Sequence, residues 1–326
     1  MRYSWCHCLL NNVKLNLYKA CIQYFALLKL HIKMKTTFHT LLFAAFLFCC
    51  CACKQPGANN AQTPNPVIKN NNVKIAYTDT KAGDTTLLFV HGWCINKTYW
   101  QNQVNFFKNK YRVVTMDLPG FGESGKNRNT WNSAAFGKDV SEVIKQLGLK
   151  NVILIGHSMA GDIILQAALN TPKAIIGLVG VDNFKSVGVG GTPSKQDSLA
   201  YQKAIDSLKH DFRRIAFEYF NHDLFSKTTS ASIKARVLND VAHSDSTIAA
   251  ACMEQDDFAE ATALLKIKRK LNLINSDVTP TNTSGMKAKG IPFQVWYING
   301  SGHFPMVEHP SEFNNSLFQV IQKLNS

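Results

Sequence analysis

Acidic residues are scarce in this chain, and their scarcity is uneven. Twenty-two Asp and Glu stand against 36 Lys and Arg, and residues 1–53 hold six basic residues and no acidic one. Without that stretch, 30 basic residues face 22 acidic ones, so the formal charge falls from +14 to +8. Those 30 are scattered apart from KIKRK at 266–270. A lone cluster of that kind reads as a solvated helix end, so no nucleic-acid partner is expected. Cysteine is nearly missing past residue 53, where only Cys94 and Cys252 remain of nine. That excludes a disulfide framework and leaves open at most one bridge. No His/Cys/Asp cluster has metal-ligand spacing. No glycine-rich loop is followed by Lys-Ser/Thr, and none belongs to a βαβ fingerprint with a distal acid, which removes phosphate-cradling chemistry. The apolar run Leu41–Phe48 is too short to cross a bilayer by itself.

What the N-terminus does contain is an export pattern. Residues 1–33 are apolar and basic without a clear period and read as a spurious upstream extension. From Met34, MKTTFHTLLFAAFLFCCCACKQ has a basic start at Lys35, an apolar stretch and a small-residue and cysteine cluster, the layout of a secretory signal over 34–53. The cluster CCAC at 50–53 is similar to a bacterial lipoprotein cleavage site, with Cys53 as the lipidated residue and Cys50 or Cys51 as alternatives. The expected localisation is therefore an exported protein, held on the periplasmic or surface face of a bacterial membrane by a lipid anchor alone, or else secreted. Residues 54–72, rich in Asn, Pro and Gly, read as a flexible tether.

Beyond residue 72 short apolar runs alternate with helical patterns. Strands are expected at 73–78, 86–90, 111–117, 151–156, 174–182, 271–275 and 293–298. Helices are expected at 97–107, 134–148, 159–169 and 311–324. Several runs are continuously Val, Ile and Leu, as suits strands buried on both faces. The alternation predicts an α/β fold with a doubly wound, mostly parallel sheet. Residues 183–269 break it with helical runs at 194–220 and 232–242 and no convincing strand, which reads as a helical cap inserted between two sheet strands.

In open parallel sheets ligands bind beyond the carboxyl ends of strands, so the residues after each strand matter most. These are HGWC (91–94), LPGFGESG (118–125), GHSMAG (156–161), Asp182, SDVTP (276–280) and NGSGHFPMVEHP (299–310). Ser158 sits between small residues at a strand-to-helix turn; Ala160 stands where the elbow pattern G-x-S-x-G has glycine, adding one methyl. His303, between Gly302 and Pro305 before the last helix, is the candidate base. Asp277 follows a late strand and is the favoured acid; Asp182, after the earlier strand, is the alternative. Asp117, Gly120, Gly122 and Ser124 read as turn and brace residues, and His91 as a brace of its loop.

HGW, DLPGFGES, and GHSMAG with GHFPMVEHPSEFN far downstream together resemble the α/β-hydrolase superfamily across residues 73–326, most closely its helical-capped serine hydrolase branch. The resemblance implies a cap inserted after the sixth family strand. It also implies a Ser158–His303–Asp triad and an oxyanion hole built from the backbone N–H groups of Trp93 and Met159, and no cofactor. It implies carboxylic ester hydrolysis through an acyl-enzyme, with a small acyl or ester molecule as partner. Carbon–carbon bond hydrolysis and cofactor-free haloperoxidase or perhydrolase chemistry stay open, as does a ligand-binding sensor with a hydrolase pocket. The aromatics Phe212, Phe217, Tyr219 and Phe220 of the cap line an apolar pocket or pack the cap onto the core. Mass spectrometry of the mature protein checks the anchor: an acyl adduct on an N-terminal Cys53 is expected, and an unmodified N-terminus removes it.

Overall fold

The computed structural model describes residues 66–190, 194–254 and 258–325. The extension, the signal with Cys50, Cys51 and Cys53, and residues 54–65 of the expected tether lie outside the described residues. Eight strands form one sheet: β1 (Val67–Asn70), β2 (Val73–Asp79), β3 (Thr86–Val90), β4 (Arg112–Met116), β5 (Val152–His157), β6 (Ile175–Val181), β7 (Leu271–Ser276) and β8 (Phe293–Ile298). Their order is β1-β2-β4-β3-β5-β6-β7-β8. β1–β2 and β2–β4 pair antiparallel; all neighbours from β4 to β8 pair parallel.

Burial follows from the apolar runs. Every residue of β3, β5 and β7 is buried, whereas β8 at the sheet edge is mostly half-exposed. Each fully buried Val, Ile, Leu or Phe contributes about 1.5–3 kcal/mol of transfer free energy, so the central strands anchor the fold. The flanking helices are α1 (Gln101–Phe107), α2 (Ser133–Gln146) and α3 (Ala160–Asn170), followed by α4 (Lys195–His210), α5 (Phe212–Tyr219), α6 (Ala231–His243), α7 (Ser246–Cys252) and α8 (Glu260–Ile267) between β6 and β7. The chain ends with α9 (Ser284–Ala288), α10 (Pro305–Glu308) and α11 (Pro310–Asn325). α2, α3 and α8 pack together, while α11 packs with α1 and against β7 and β8. Side-chain oxygens of Asn132, Ser194, Ser230 and Asp245 cap the starts of α2, α4, α6 and α7.

Two boundaries differ from the sequence expectation. The stretch read as tether carries β1, because Asn71 and Asn72 both adopt positive φ (46° and 70°) and close a two-residue hairpin in which Asn70 faces Val73. Asn-rich composition was mistaken for looseness, when asparagine also tolerates the left-handed region that a tight hairpin requires. The helical insertion is also less uniform than a cap over 183–269: α8, its last helix, packs on α3 beside the sheet. Asn72→Val is expected to destabilise the protein by about 1–3 kcal/mol through strain at φ 70°, and Asn72→Gly much less. Thermal denaturation of the two variants checks this.

Candidate active site

The sheet order reverses direction at β3: the chain crosses to β4 on one side and then to β5 on the other. The ends of β3 and β5 therefore meet, with Val90 opposite Gly156, and the crevice between them is where an open sheet offers a site. HGW leaves β3 there and Ser158 leaves β5. A Cβ on Gly92 would lie 2.7 Å from His157 Nδ1 and 2.9 Å from Ser158 Cβ, so only glycine lets the two loops touch. His91 is buried and braces this loop. Its Nε2 accepts from the Leu118 amide (2.9 Å), which leaves the ring proton on Nδ1 to donate to the Gly92 carbonyl (2.8 Å). Burial, the largest influence on His91, lowers its pKa and keeps it neutral.

Ser158 holds φ +54°, a strained value for a residue with a Cβ. Its own amide donates to the Val181 carbonyl (3.0 Å), continuing the β5–β6 ladder one residue past the strand before the chain turns into α3. Gly156 is obligatory for that turn, since a Cβ there would lie 2.6 Å from the Ala160 carbonyl oxygen. Ala160 itself is the fully buried first residue of α3, so the extra methyl is accommodated within the helix. Asn183 braces the elbow, donating Nδ2 to the Gly156 (2.8 Å) and Ser158 (3.2 Å) carbonyls.

Asp182 repeats the pattern one strand over. Its amide donates to the Ile274 carbonyl (3.2 Å) and its φ is +44°. Between these strand ends lies His303, with Nε2 2.7 Å from Ser158 Oγ and Nδ1 2.6 Å from Asp182 Oδ2. The second oxygen of Asp182 accepts from the Ser276 amide (2.9 Å) and pairs with Lys185 Nζ (2.6 Å). Burial alone pushes the Asp182 carboxyl up, but Lys185 and the His303 hydrogen bond outweigh it and hold the group well below the usual carboxylate range.

The preference for Asp277 is corrected by this geometry. Asp277 is exposed, and its Oδ1 accepts from the Gly300 amide (2.9 Å), bracing the turn after β8. It follows Ser276, whose amide and hydroxyl are already turned inward to Asp182 and to the Ser301 carbonyl. The residue after it is thereby aimed outward, and the alternative acid, Asp182, holds the histidine.

The His303 loop is fixed from both sides by a residue that sequence reasoning passed over. Glu308 accepts from the Gly302 amide (3.0 Å) through Oε2 and from the Phe304 amide (3.1 Å) through Oε1, and Thr229 of the insertion donates to it (2.6 Å). His303 N–H donates to the Leu224 carbonyl (2.7 Å), also in the insertion. His157 Nε2–H donates to the His303 carbonyl (2.8 Å); burial first, then repulsion from His303, lowers its pKa to about 3, so it is a neutral brace.

A small cleft, with about 80 Å³ open to water, exposes Ser158 and His303. Trp93, Phe220, Leu224 and Phe304 form its apolar wall. Both readings of the insertion's aromatics hold in part. Phe220 stacks on Trp93 (5.8 Å) and Phe304 (6.2 Å) and Phe212 meets Trp93 edge-on (5.9 Å), so they pack the insertion onto the core while Phe220 and Tyr219 also line the cleft. Phe217 is half-buried under Arg213 (5.4 Å) and does not line the cleft. The Trp93 indole N–H donates to the Ala249 carbonyl in α7 (2.8 Å). Burial pushes the Cys94 thiol well up and the Cys252 thiol up to about 12, so neither competes as a nucleophile near neutral pH. Asp117 is buried between the Lys97 ammonium (2.8 Å) and the Lys97 and Glu123 amides, and Ser124 Oγ bonds its carbonyl, which makes DLPGFGES a brace of the β4 end.

A model described as the alpha/beta hydrolase fold matches residues 85–273. The chain belongs to the α/β-hydrolase-fold family. It is 36% identical over 94 residues to an uncharacterized hydrolase, YugF, of Bacillus subtilis (strain 168), a match covering 28% of this chain and 34% of that protein's length. It is 25% identical over 255 residues to a pimeloyl-[acyl-carrier protein] methyl ester esterase of Aliivibrio salmonicida (strain LFI1238), over 76% of this chain and 95% of that one. Among solved structures, the esterase EaEST from Exiguobacterium antarcticum shares the fold with TM-score 0.68 at 20% identity, covering 80% of this chain and 100% of that one.

Asp182→Asn is expected to lower kcat for a test ester by about 10³–10⁴-fold by favouring the wrong imidazole tautomer, and Asp277→Asn by less than about tenfold. Steady-state kinetics on both variants checks the pairing; a larger loss in Asp277→Asn overturns it.

Proposed function

We propose that this esterase-like hydrolase cleaves carboxylic esters through Ser158, His303 and Asp182. The observation that carries the reading is the hydrogen-bonded chain Ser158 Oγ–His303 Nε2–His303 Nδ1–Asp182 Oδ2, opening on a cleft. A serine hydroxyl is a weak nucleophile until a base within hydrogen-bond reach takes its proton. With Asp182 fixing the proton on Nδ1, Nε2 is left as the base. Ser158 Oγ attacks the ester carbonyl carbon as its proton passes to Nε2. The resulting imidazolium lies against the Asp182 carboxylate. It returns the proton to the departing alcohol, leaving an acyl-serine and neutral His303. Water, deprotonated by the same Nε2, then attacks the acyl carbon, and the imidazolium returns that proton to Ser158 Oγ as the Oγ–acyl bond breaks and the acid leaves.

The tetrahedral oxyanion needs donors already aimed at it. The Met159 amide follows the nucleophile at the start of α3, and the Trp93 amide lies in the loop that Gly92 holds against Ser158. Preorganised donors of this kind are worth about 3–4 kcal/mol each in the transition state. The apolar wall of Trp93, Phe220, Leu224 and Phe304 favours a substrate with an apolar acyl part. The relative from Aliivibrio salmonicida, a methyl ester esterase, agrees with this substrate class. The same proposal takes residues 34–53 as an export signal and Cys53 as a lipidation site, so that the activity lies outside the cytoplasm on a lipid anchor, or is secreted.

A fluorophosphonate probe is expected to label the wild type and not Ser158→Ala, with short p-nitrophenyl esters hydrolysed only by the labelled protein. Labelling that persists in Ser158→Ala, or a folded wild type that neither labels nor turns over ester, overturns the reading.

A further inference from the structure

Lys185 is the least expected residue at this site. It sits in the loop after β6, is buried, and places its ammonium 2.6 Å from Asp182 Oδ1, on the oxygen that His303 does not use. Its remaining N–H groups go to the Thr279 (2.8 Å) and Ser276 (3.2 Å) carbonyls. All three protons of the ammonium are thus spent between one carboxylate oxygen and the loop after β7. The Lys185 carbonyl in turn accepts from the Asn282 amide (2.7 Å). Hydrogen bonds from backbone amides would suffice to orient Asp182, and Ser276 already supplies one. An ammonium adds something amides do not, a full positive charge.

We propose that Lys185 is a positioning and charge-tuning residue for the reaction proposed above, acting through Asp182 to set the pH at which His303 becomes available as the base. The inference rests on Asp182 being the triad acid. The ion pair fixes the Asp182 carboxylate with Oδ2 toward His303. It also cancels part of the carboxylate's field, so the imidazolium is held less tightly than it would be by Asp182 alone. His303 then sheds its proton at lower pH, and the enzyme keeps its base in working form further into the acid range.

Other titratable groups face this assembly, among them Tyr201, Tyr219 and Cys252 on the cleft wall. His157 on β5 is neutral and bonded to the His303 backbone; Glu308 on α10 is saturated by the Gly302 and Phe304 amides and Thr229. Asp162 on α3 and Glu254 face the same cleft, and Asp277 after β7 turns to Gly300. Asp182 Oδ1 itself is met by the Ser276 amide and by Lys185.

The test uses the mature protein with Lys185→Met, Lys185→Gln and Lys185→Arg, reading kcat/KM against pH on a short p-nitrophenyl ester. The acid limb is expected to move up by about one pH unit in the Met and Gln variants, with kcat/KM lowered by up to about tenfold at pH 6. Lys185→Arg, which keeps the charge, is expected to restore the limb to within a few tenths of a unit. Lower activity or lower Tm with an unmoved limb in the Met and Gln variants makes Lys185 a purely structural strut and overturns the proposal. So does an Arg variant displaced as far as the Met one. Should Lys185→Met fail to fold, Lys185→Gln, which keeps donors for the loop carbonyls, gives the same reading. The downfield ¹H signal of the His303 Nδ1 proton, titrated in wild type and Lys185→Gln, reads the same shift without a substrate. A wild type inactive on esters but showing that shift removes the esterase reading and leaves the role of Lys185 standing; no NMR shift overturns it independently.

Discussion

The register of the parallel strands is the constraint on which the site depends. Ser158, Asp182 and His303 come from distant parts of the chain, and no local interaction brings them together. The pairing of β5 with β6, β6 with β7 and β7 with β8 does so, and two of the strand ends are bonded to their neighbours one residue beyond the regular ladder, Ser158 to Val181 and Asp182 to Ile274. A shift of one residue in either pairing would turn a site side chain to the other face of the sheet. The buried Val, Ile and Leu of these strands therefore fix chemical geometry as well as stability.

Positive φ is the second common element. Ser158 and Asp182 both leave their strands through the left-handed region, although neither is glycine. In both cases the strain is held by specific bonds. Asn183 ties the serine elbow to the Gly156 and Ser158 carbonyls, while Ser276 and Lys185 secure the Asp182 carboxylate. Such positions persist only where surrounding structure over-determines them. The site is accordingly built from its supports inward, and the reactive groups carry the cost.

Much of this was legible in the sequence, and the parts that were not share a cause. Continuous apolar runs marked β3, β5, β6 and β7 to within a residue or two, and small residues around Ser158 and His303 marked the turns that present them. The carboxylate that bonds His303 was harder, because Asp182 and Asp277 each follow a strand and the pattern of residues does not reveal which side chain turns inward. That is decided by Ser276, whose amide and hydroxyl face the interior and leave Asp277 outside. Lys185 and Glu308 were invisible for a similar reason: a charge in a loop reads as solvated until tertiary contacts show it buried or saturated. β1 was lost to composition, since Asn71 and Asn72 read as loose chain and serve as a tight turn.

The bonds that reach from the His303 loop into the helical insertion have a consequence for how substrate enters. His303 N–H is bonded to Leu224, and Glu308, which clamps the loop on both sides of His303, is bonded to Thr229. The segment of the insertion between α5 and α6 is thus tied to the loop that carries His303. Lifting it far enough to admit a bulky guest would pull on the same loop that aims Nε2 at Ser158.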